Sequence, residues 1–315
     1  MEFNLGIKIM LIALPLSFFL SLINAAFFRL LKLKDPNLGK KRASHSKPTA
    51  RLGGVSAILA ILITLLLVEA QFDFQLVLIL IPVFLMGFLE DINLKTKTWT
   101  RLIYGCLSAA LFIYFKEFSI KEANVIWLDT LLEIKLFSAL FTIFCLVGLI
   151  NAINFIDGIN GLASGKIIIV SGAIFWLSTV YNEPKLQILS LSMLSSTLGL
   201  FVLNYPVGRI FLGDAGAYSF GLLIGSCLII IKYNHPQVSG WAIFLILFWP
   251  TMDTIHSIFR RRMLKKSSDR PDMMHMHHLI MRTIEISSGH RISRKISNPL
   301  ATAVILPMAI VPVII

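Results

Sequence analysis

Several short stretches of this sequence place carboxylates, amides, glycines and imidazoles at spacings that chemistry can use. The densest is Asn151-Ala-Ile-Asn154-Phe-Ile-Asp157-Gly158-Ile-Asn160-Gly161-Leu162. Asn151, Asn154 and Asp157 recur every third residue, which on a helix confines them to an arc of about 120°. Amides and a carboxylate on one face suit a hard cation or a nucleotide base, and the glycines that follow make room for it. Polar glue between helices would not require such density.

Four further stretches add to the set. Asn204-Tyr-Pro-Val-Gly-Arg-Ile-Phe-Leu-Gly213-Asp214-Ala-Gly216 sets an aspartate between two glycines at the start of an apolar run. Mg²⁺ is usually held by one or two carboxylates plus substrate phosphates, and Asp214 fits that description; a plain helix cap is the alternative for this residue taken alone. Glu90-Asp91 closes another apolar run and is followed by Lys95, Lys97 and Arg101. Paired carboxylates there are costly unless used or partnered. The stretch from His45 to Gly54 enters a run through two glycines, which either open backbone amides to an anion or permit close helix packing. The fifth, 259–297, carries Arg260-Arg261-Arg262, Asp269-Arg270 and His275-Met-His277-His278. With no cysteine or spaced carboxylate nearby, these histidines and arginines suit a pyrophosphate better than zinc. Asp253, just upstream, is expected to pair with this basic segment and to be structural.

The elements that must position these residues are apolar helices. Of 315 residues 56% are hydrophobic and 15% charged, far below the quarter that soluble domains carry. The apolar residues form blocks rather than single helical stripes. Taking about 20 residues per crossing, the blocks are 9–28, 52–69, 74–89, 102–115, 136–153, 167–181, 186–204, 217–231, 241–258 and 298–315. The expectation is one all-α polytopic membrane domain over 1–315, with about ten spans, the last being the least well defined. Cys106, Cys145 and Cys227 each sit alone in an apolar run, so neither disulfides nor a thiolate metal site is expected. Within 116–135, Val125 to Trp127 reads as a short hairpin strand.

Charge orients the bundle. Positive residues follow the first span rather than precede it, which argues against a cleaved signal peptide. With the N-terminus outside, segments 29–51, 90–101, 151–166, 204–216 and 259–297 face inward and hold 23 of the 29 Lys and Arg residues. The same segments hold the polar stretches above. The net charge of +12 therefore belongs to a cytoplasmic membrane surface and an anionic substrate rather than to nucleic acid. Transport is the rival reading, drawing on Glu69, Asp91 and Asp253. Transporter sites, however, lie near the bilayer midplane, whereas these polar stretches lie at span ends.

Together the stretches resemble, in order and over nearly the whole chain, the polyprenyl-phosphate N-acetylhexosamine-1-phosphate transferases. Asn151 to Leu162 is similar to that family's N-x-x-N-x-x-D-G-x-D-G-L, and Phe211 to Gly216 to its F-x-G-D-x-G. His275 to His278 resembles the H-x-H-H of the branch using UDP-N-acetylglucosamine or a related sugar. The branch acting on UDP-N-acetylmuramoyl-pentapeptide, the alternative, typically has three consecutive histidines and T-M-G-G; this chain has neither. Glu90 and Asn160 stand where the family has aspartates.

The resemblance implies that undecaprenyl phosphate attacks the sugar-bearing phosphorus of a UDP-N-acetylhexosamine. UMP leaves, and the lipid pyrophosphoryl sugar starts an envelope glycan of O-antigen, capsule or teichoic acid type. It implies Mg²⁺, with Mn²⁺ an acceptable substitute, on Asp214 with Asn154 as second ligand. Asp91, Glu90 and Asp157 would orient or deprotonate the lipid phosphate. Lys97, Arg270, His275, His277 and His278 would hold phosphates, and Asn160 and Asn204 would contact the nucleotide. It further implies a bacterial cytoplasmic membrane, contacts with membrane lipids and compatibility with a homodimer.

Overall fold

The computed structural model describes residues 3–30, 49–68, 73–94, 96–264, 274–289 and 291–314. They form thirteen helices and, among the described residues, no named strand. The helices are α1 (Phe3–Leu30), α2 (Gly53–Leu67), α3 (Phe74–Asp91), α4 (Thr98–Lys116), α5 (Ile126–Leu132), α6 (Lys135–Ile156) and α7 (Leu162–Val180). After these come α8 (Pro184–Asn204), α9 (Gly213–Asn234), α10 (Gly240–Ile246), α11 (Phe248–Met263), α12 (Met276–Ser287) and α13 (Arg294–Ile314).

Each expected apolar block lies on a helix, but their lengths revise the count. Seven helices are long and apolar enough to cross a membrane, or eight if the bent pair α10–α11 is one span. The 15 residues of α2 rise only about 22 Å, against a hydrocarbon core of about 30 Å. The block 241–258 is not one rod, since α10 and α11 meet at 81°. Pro250 explains the break: a proline clashes with the carbonyl four residues earlier, here that of Ile246, where α10 stops. The described part of the final block, 298–314, lies within a 21-residue helix, α13, despite Pro299, Pro307 and Pro312.

The expected strand at Val125 to Trp127 is instead the start of α5. Asp129 decides this locally, its carboxylate accepting the amides of Ala123 at 2.6 Å and Val125 at 2.9 Å. Those bonds close the chain into a helical entry and leave no extended edge.

One helix organises the rest. Of the long apolar helices α9 is the most deeply buried and α1 the least, so α9 is the pillar of the bundle. It packs against α2, α3, α4, α6 and α7. At its first turn the approach is backbone to backbone. A Cβ on Gly54 would lie 2.1 Å from the Cα of Gly216, and one on Gly87 would lie 2.4 Å from the Cα of Ala215. These contacts bring the last turn of α3, which carries Glu90 and Asp91, onto the start of α9. Segment 50–54 is also tied to 210–212, through Phe211 N–H to the Ala50 carbonyl (2.8 Å) and Gly54 N–H to that of Leu212 (2.7 Å).

Candidate active site

Ends of several helices meet around the first turn of α9. Asp91, the last residue of α3 and 5% exposed, accepts the amide of Asp214 at 2.8 Å and that of Ala215 at 2.9 Å, one on each carboxylate oxygen. Asp157, just past α6, accepts the amide of Gly213 at 3.0 Å. The opening amides of α9 are thus capped by carboxylates from two other helices, which satisfies groups that a helix leaves without partners. Asp214 is not its own helix's cap; it projects from the turn that the other two hold. Gly213 permits this at φ +79°, where a Cβ would fall 1.8 Å from the Arg51 carbonyl oxygen and 2.7 Å from Asp91.

Asp214 is half-buried and receives two donors on one carboxylate oxygen. The amide of Asn154, from the last turn of α6, lies at 2.5 Å, and the guanidinium of Arg51 at 3.2 Å. Asn151, three residues earlier, bonds back to the Val147 carbonyl of its own helix at 2.8 Å. Burial pushes the Asp157 carboxyl up to about 6, against the lowering pull of the Arg51 charge and the bond from Gly213. Its second oxygen makes no hydrogen bond among the described residues. Asp157 is therefore the carboxylate best placed to exchange a proton near neutrality.

Glu90 is held by two hydroxyl donors and an ion pair. The Tyr218 hydroxyl donates at 2.8 Å, the Thr96 hydroxyl bonds its other oxygen, and Arg101 pairs with that oxygen at 3.2 Å. Lys97 is exposed at the residue before α4.

The histidines dock against the Asp157 loop. Asp253 accepts from the Met276 amide at 3.0 Å and contacts the His275 Nδ1 at 2.8 Å, so it does pair with the segment carrying the histidines. The rings of His275 and His277 stack at 5.7 Å, and those of His277 and His278 lie 4.2 Å apart. His277 is 2% exposed, and its Nε2 is buried without a hydrogen-bond partner among the described residues. A Cβ on Gly158 would lie 2.3 Å from that nitrogen. Burial and the neighbouring imidazoles hold His277 well below the usual histidine range, so it is neutral at pH 7.

The structure reassigns some expected contacts. Asn204 is 1% exposed; its amide donates to Ile210 O at 2.8 Å, and its oxygen accepts from Gly161 N at 2.7 Å and Ser164 Oγ at 2.9 Å. Asn204, expected to contact the nucleotide, thus bonds within the fold through both its side-chain amide and its oxygen. Asn160 donates its side-chain amide to Pro206 O at 2.7 Å, while its Oδ1 is buried without a partner among the described residues. A carboxylate in its place could not donate to Pro206, which gives the asparagine a physical reason. The amides of Gly53 and Gly54 bond the carbonyls of Phe211 and Leu212, so close packing, not anion binding, accounts for those glycines. Arg270, and with it Glu69, Lys95, Asp269 and His45 to Pro48, lies outside the described residues.

Sequence reasoning gave no individual role to Arg51, Arg101, Tyr218, Asn298 or Thr302. The last two carried a legible mark: polar residues four apart on an apolar helix share one face. Asn298 Oδ1 accepts the Asn160 amide at 2.8 Å, and Thr302 Oγ1 donates to the Asn160 carbonyl at 2.6 Å.

An apolar cleft of about 480 Å³ lies between α6, α9 and the α10–α11 bend. It runs from Glu122 and Lys232 to Ala152, Thr254 and Ile258, beside Asp253 and the last turns of α6.

A many-helix membrane protein with carboxylates, amides and imidazoles gathered at one end of its bundle defines a class: an enzyme acting where water meets lipid. The chain belongs to glycosyl transferase family 4, whose model matches residues 74–232. The chain is 27% identical to an undecaprenyl-phosphate alpha-N-acetylglucosaminyl 1-phosphate transferase of Thermotoga maritima, over 85% of this chain and 80% of that one. It is 30% identical to a phospho-N-acetylmuramoyl-pentapeptide-transferase of Lactobacillus johnsonii, over 70% and 72%. It is 28% identical to an enzyme of that second name from a Geobacillus species, over 86% and 89%.

Proposed function

We propose that this protein transfers an N-acetylhexosamine-1-phosphate from a UDP-sugar to undecaprenyl phosphate, at the cytoplasmic face of a bacterial inner membrane. The observation that carries the reading is the convergence of Asp157, Asp214 and the histidine turn on the capped start of α9, beside an apolar cleft. A soluble nucleotide and a lipid headgroup can meet only at such a boundary. The cleft walls suit a polyprenyl tail, and the cleft's Ala152 end brings the headgroup toward Asp157.

In the reaction a phosphate oxygen of the lipid attacks the phosphorus that bears the sugar. The bond from that phosphorus to the bridging oxygen breaks, and UMP departs with the bond's electrons. Asp157, poised near pH 6, accepts or orients a proton of the lipid phosphate, whose own second pKa is also near 6. Asp91 holds the turn that presents Asp214. His275, braced by Asp253, together with His278 and the exposed Lys97, binds phosphate oxygens as the nucleotide enters.

The residues fit Mg²⁺. Among the described residues no three His, Cys, Asp or Glu side chains form a set that holds a metal by itself. Asp214 and Asn154 supply two hard donors, which suits an ion completed by water and substrate phosphates. When bound, it neutralises charge on the pyrophosphate.

The H-x-H-H arrangement favours an N-acetylhexosamine over the muramoyl-pentapeptide donor. To test this, membranes expressing the protein are incubated with radiolabelled UDP-N-acetylglucosamine, UDP-N-acetylgalactosamine or UDP-N-acetylmuramoyl-pentapeptide and extracted with organic solvent. Label in the lipid phase with either of the first two supports the reading. Label with the pentapeptide donor alone reassigns the sugar, and no label with any donor removes the transferase reading.

A further inference from the structure

The last helix lies beyond the family match at 74–232, yet it reaches into the loop that carries Asp157. That loop, 157–161, is held on one side by the segment that ends α8, the Gly161 amide donating to Asn204 Oδ1 at 2.7 Å and the Asn160 side-chain amide to Pro206 O at 2.7 Å, while its two glycines widen the backbone's conformational range. Asn160 sits at its centre, and both of its backbone polar groups are taken by α13. Its amide donates to Asn298 Oδ1 at 2.8 Å, and its carbonyl accepts from Thr302 Oγ1 at 2.6 Å. Asn298 is 2% exposed and Thr302 is fully buried, so these bonds form away from competing water.

Deeper in the bundle, α13 is clamped to α7. A Cβ on Gly165 would lie 2.6 Å from Leu306 Cδ1, so that side chain rests on bare backbone. Beside it, the buried Lys166 places its ammonium 3.3 Å from the Ala309 carbonyl. A lysine buried within a membrane bundle is expensive, and this one bridges two helices. Thus α13 is fixed to α7 below while its upper turns grip Asn160.

We propose that α13 is the positioning element of the active-site loop, with Asn298 and Thr302 fixing Asn160 and thereby the placement of Asp157. The effect on catalysis rests on the transferase reading above; the effect on the loop does not. Neither side chain is assigned a contact with substrate, so both act through the backbone of Asn160.

Two readouts separate these claims. The first is hydrogen exchange of the 157–161 backbone in detergent-solubilised protein. Asn298→Leu removes the acceptor for the Asn160 amide, and exchange there rises roughly ten-fold or more, while peptides from α8 and the core of α9 exchange as in the wild type. The second is lipid-linked product formed from the three UDP-sugars named above. Thr302→Val, nearly isosteric but without the hydroxyl, lowers turnover roughly ten- to a hundred-fold. Thr302→Ser, which restores the donor, returns it to within about two-fold of wild type. Unchanged loop exchange in Asn298→Leu overturns the proposal, and so does wild-type turnover in Thr302→Val. If the wild type forms no lipid product, the transferase reading fails and the exchange result still decides the role of α13.

Discussion

At the residue scale, four acidic side chains that look alike in sequence separate by what they touch. Asp91 spends both oxygens on backbone amides of α9, Glu90 is ringed by Tyr218, Thr96 and Arg101, and Asp157 and Asp214 keep capacity for a substrate. Distinct outcomes follow on substitution. Asp91→Ala leaves two amides uncapped, so thermal unfolding in detergent shows a loss of about 1–3 kcal/mol together with loss of activity. Asp214→Ala leaves the melting temperature within about 2 °C of wild type. The same change cuts Mg²⁺-dependent UMP release by roughly 10³-fold; turnover near wild type would discard the metal assignment. Asp157 sets a pH limb. With its carboxyl near 6, the ionised form is lost as pH falls through 6, and turnover falls with it. The Arg51 charge pulls that value down, so Arg51→Gln moves the limb to higher pH, whereas a limb set by the lipid phosphate alone would stay in place. The candidate residues were legible because their types and spacing are unusual in apolar surroundings. Their division of labour was not, because it depends on which backbone amides fold beneath them.

At the scale of elements, the apolar blocks announced the helices and a few local details set their ends. Pro250 breaks α10 from α11 at Ile246, a mark present in the sequence but hidden inside an unbroken apolar run. The strand expected near Val125 gave way to Asp129, whose capping bonds depend on a side chain four residues on. The glycines at 53 and 54 read equally as an anion cradle or a packing surface, and only the approach of Gly216 decided between them. That contact makes a sharp prediction. Gly54→Val drives its side chain into the backbone of α9, where no flexible neighbour can yield. Stability should fall by about 1–3 kcal/mol in a detergent melt, with activity lost in parallel through the displaced Asp214. Gly148, with nothing within 4 Å of an added Cβ, is the control: Gly148→Ala should melt as the wild type does.

At the scale of the whole molecule, the described residues of the polar stretches gather at one end of the bundle. The C-terminal ends of α3, α6 and α8 meet the N-terminal ends of α2, α7, α9, α12 and α13 there, and hydrogen bonds link most of them directly. The sequence carried this arrangement in its charges, since the same five segments hold most of the lysines and arginines. The number of crossings was less legible, because the 15-residue α2, the less apolar α4 and the bent α10–α11 read as ordinary spans when only apolar length is counted. The central claim, a single water-facing pocket on the cytoplasmic side, is tested most directly by cysteine labelling in sealed vesicles of known sidedness. The three native cysteines are replaced by serine, and single cysteines are placed at the exposed positions Asn93, Val207 and Met276 near the site and at Glu133 and Lys185 at the far end. The prediction is that an impermeant maleimide labels Asn93→Cys, Val207→Cys and Met276→Cys only in inside-out vesicles, and Glu133→Cys and Lys185→Cys only in intact cells. Labelling of the first three from different sides would contradict it.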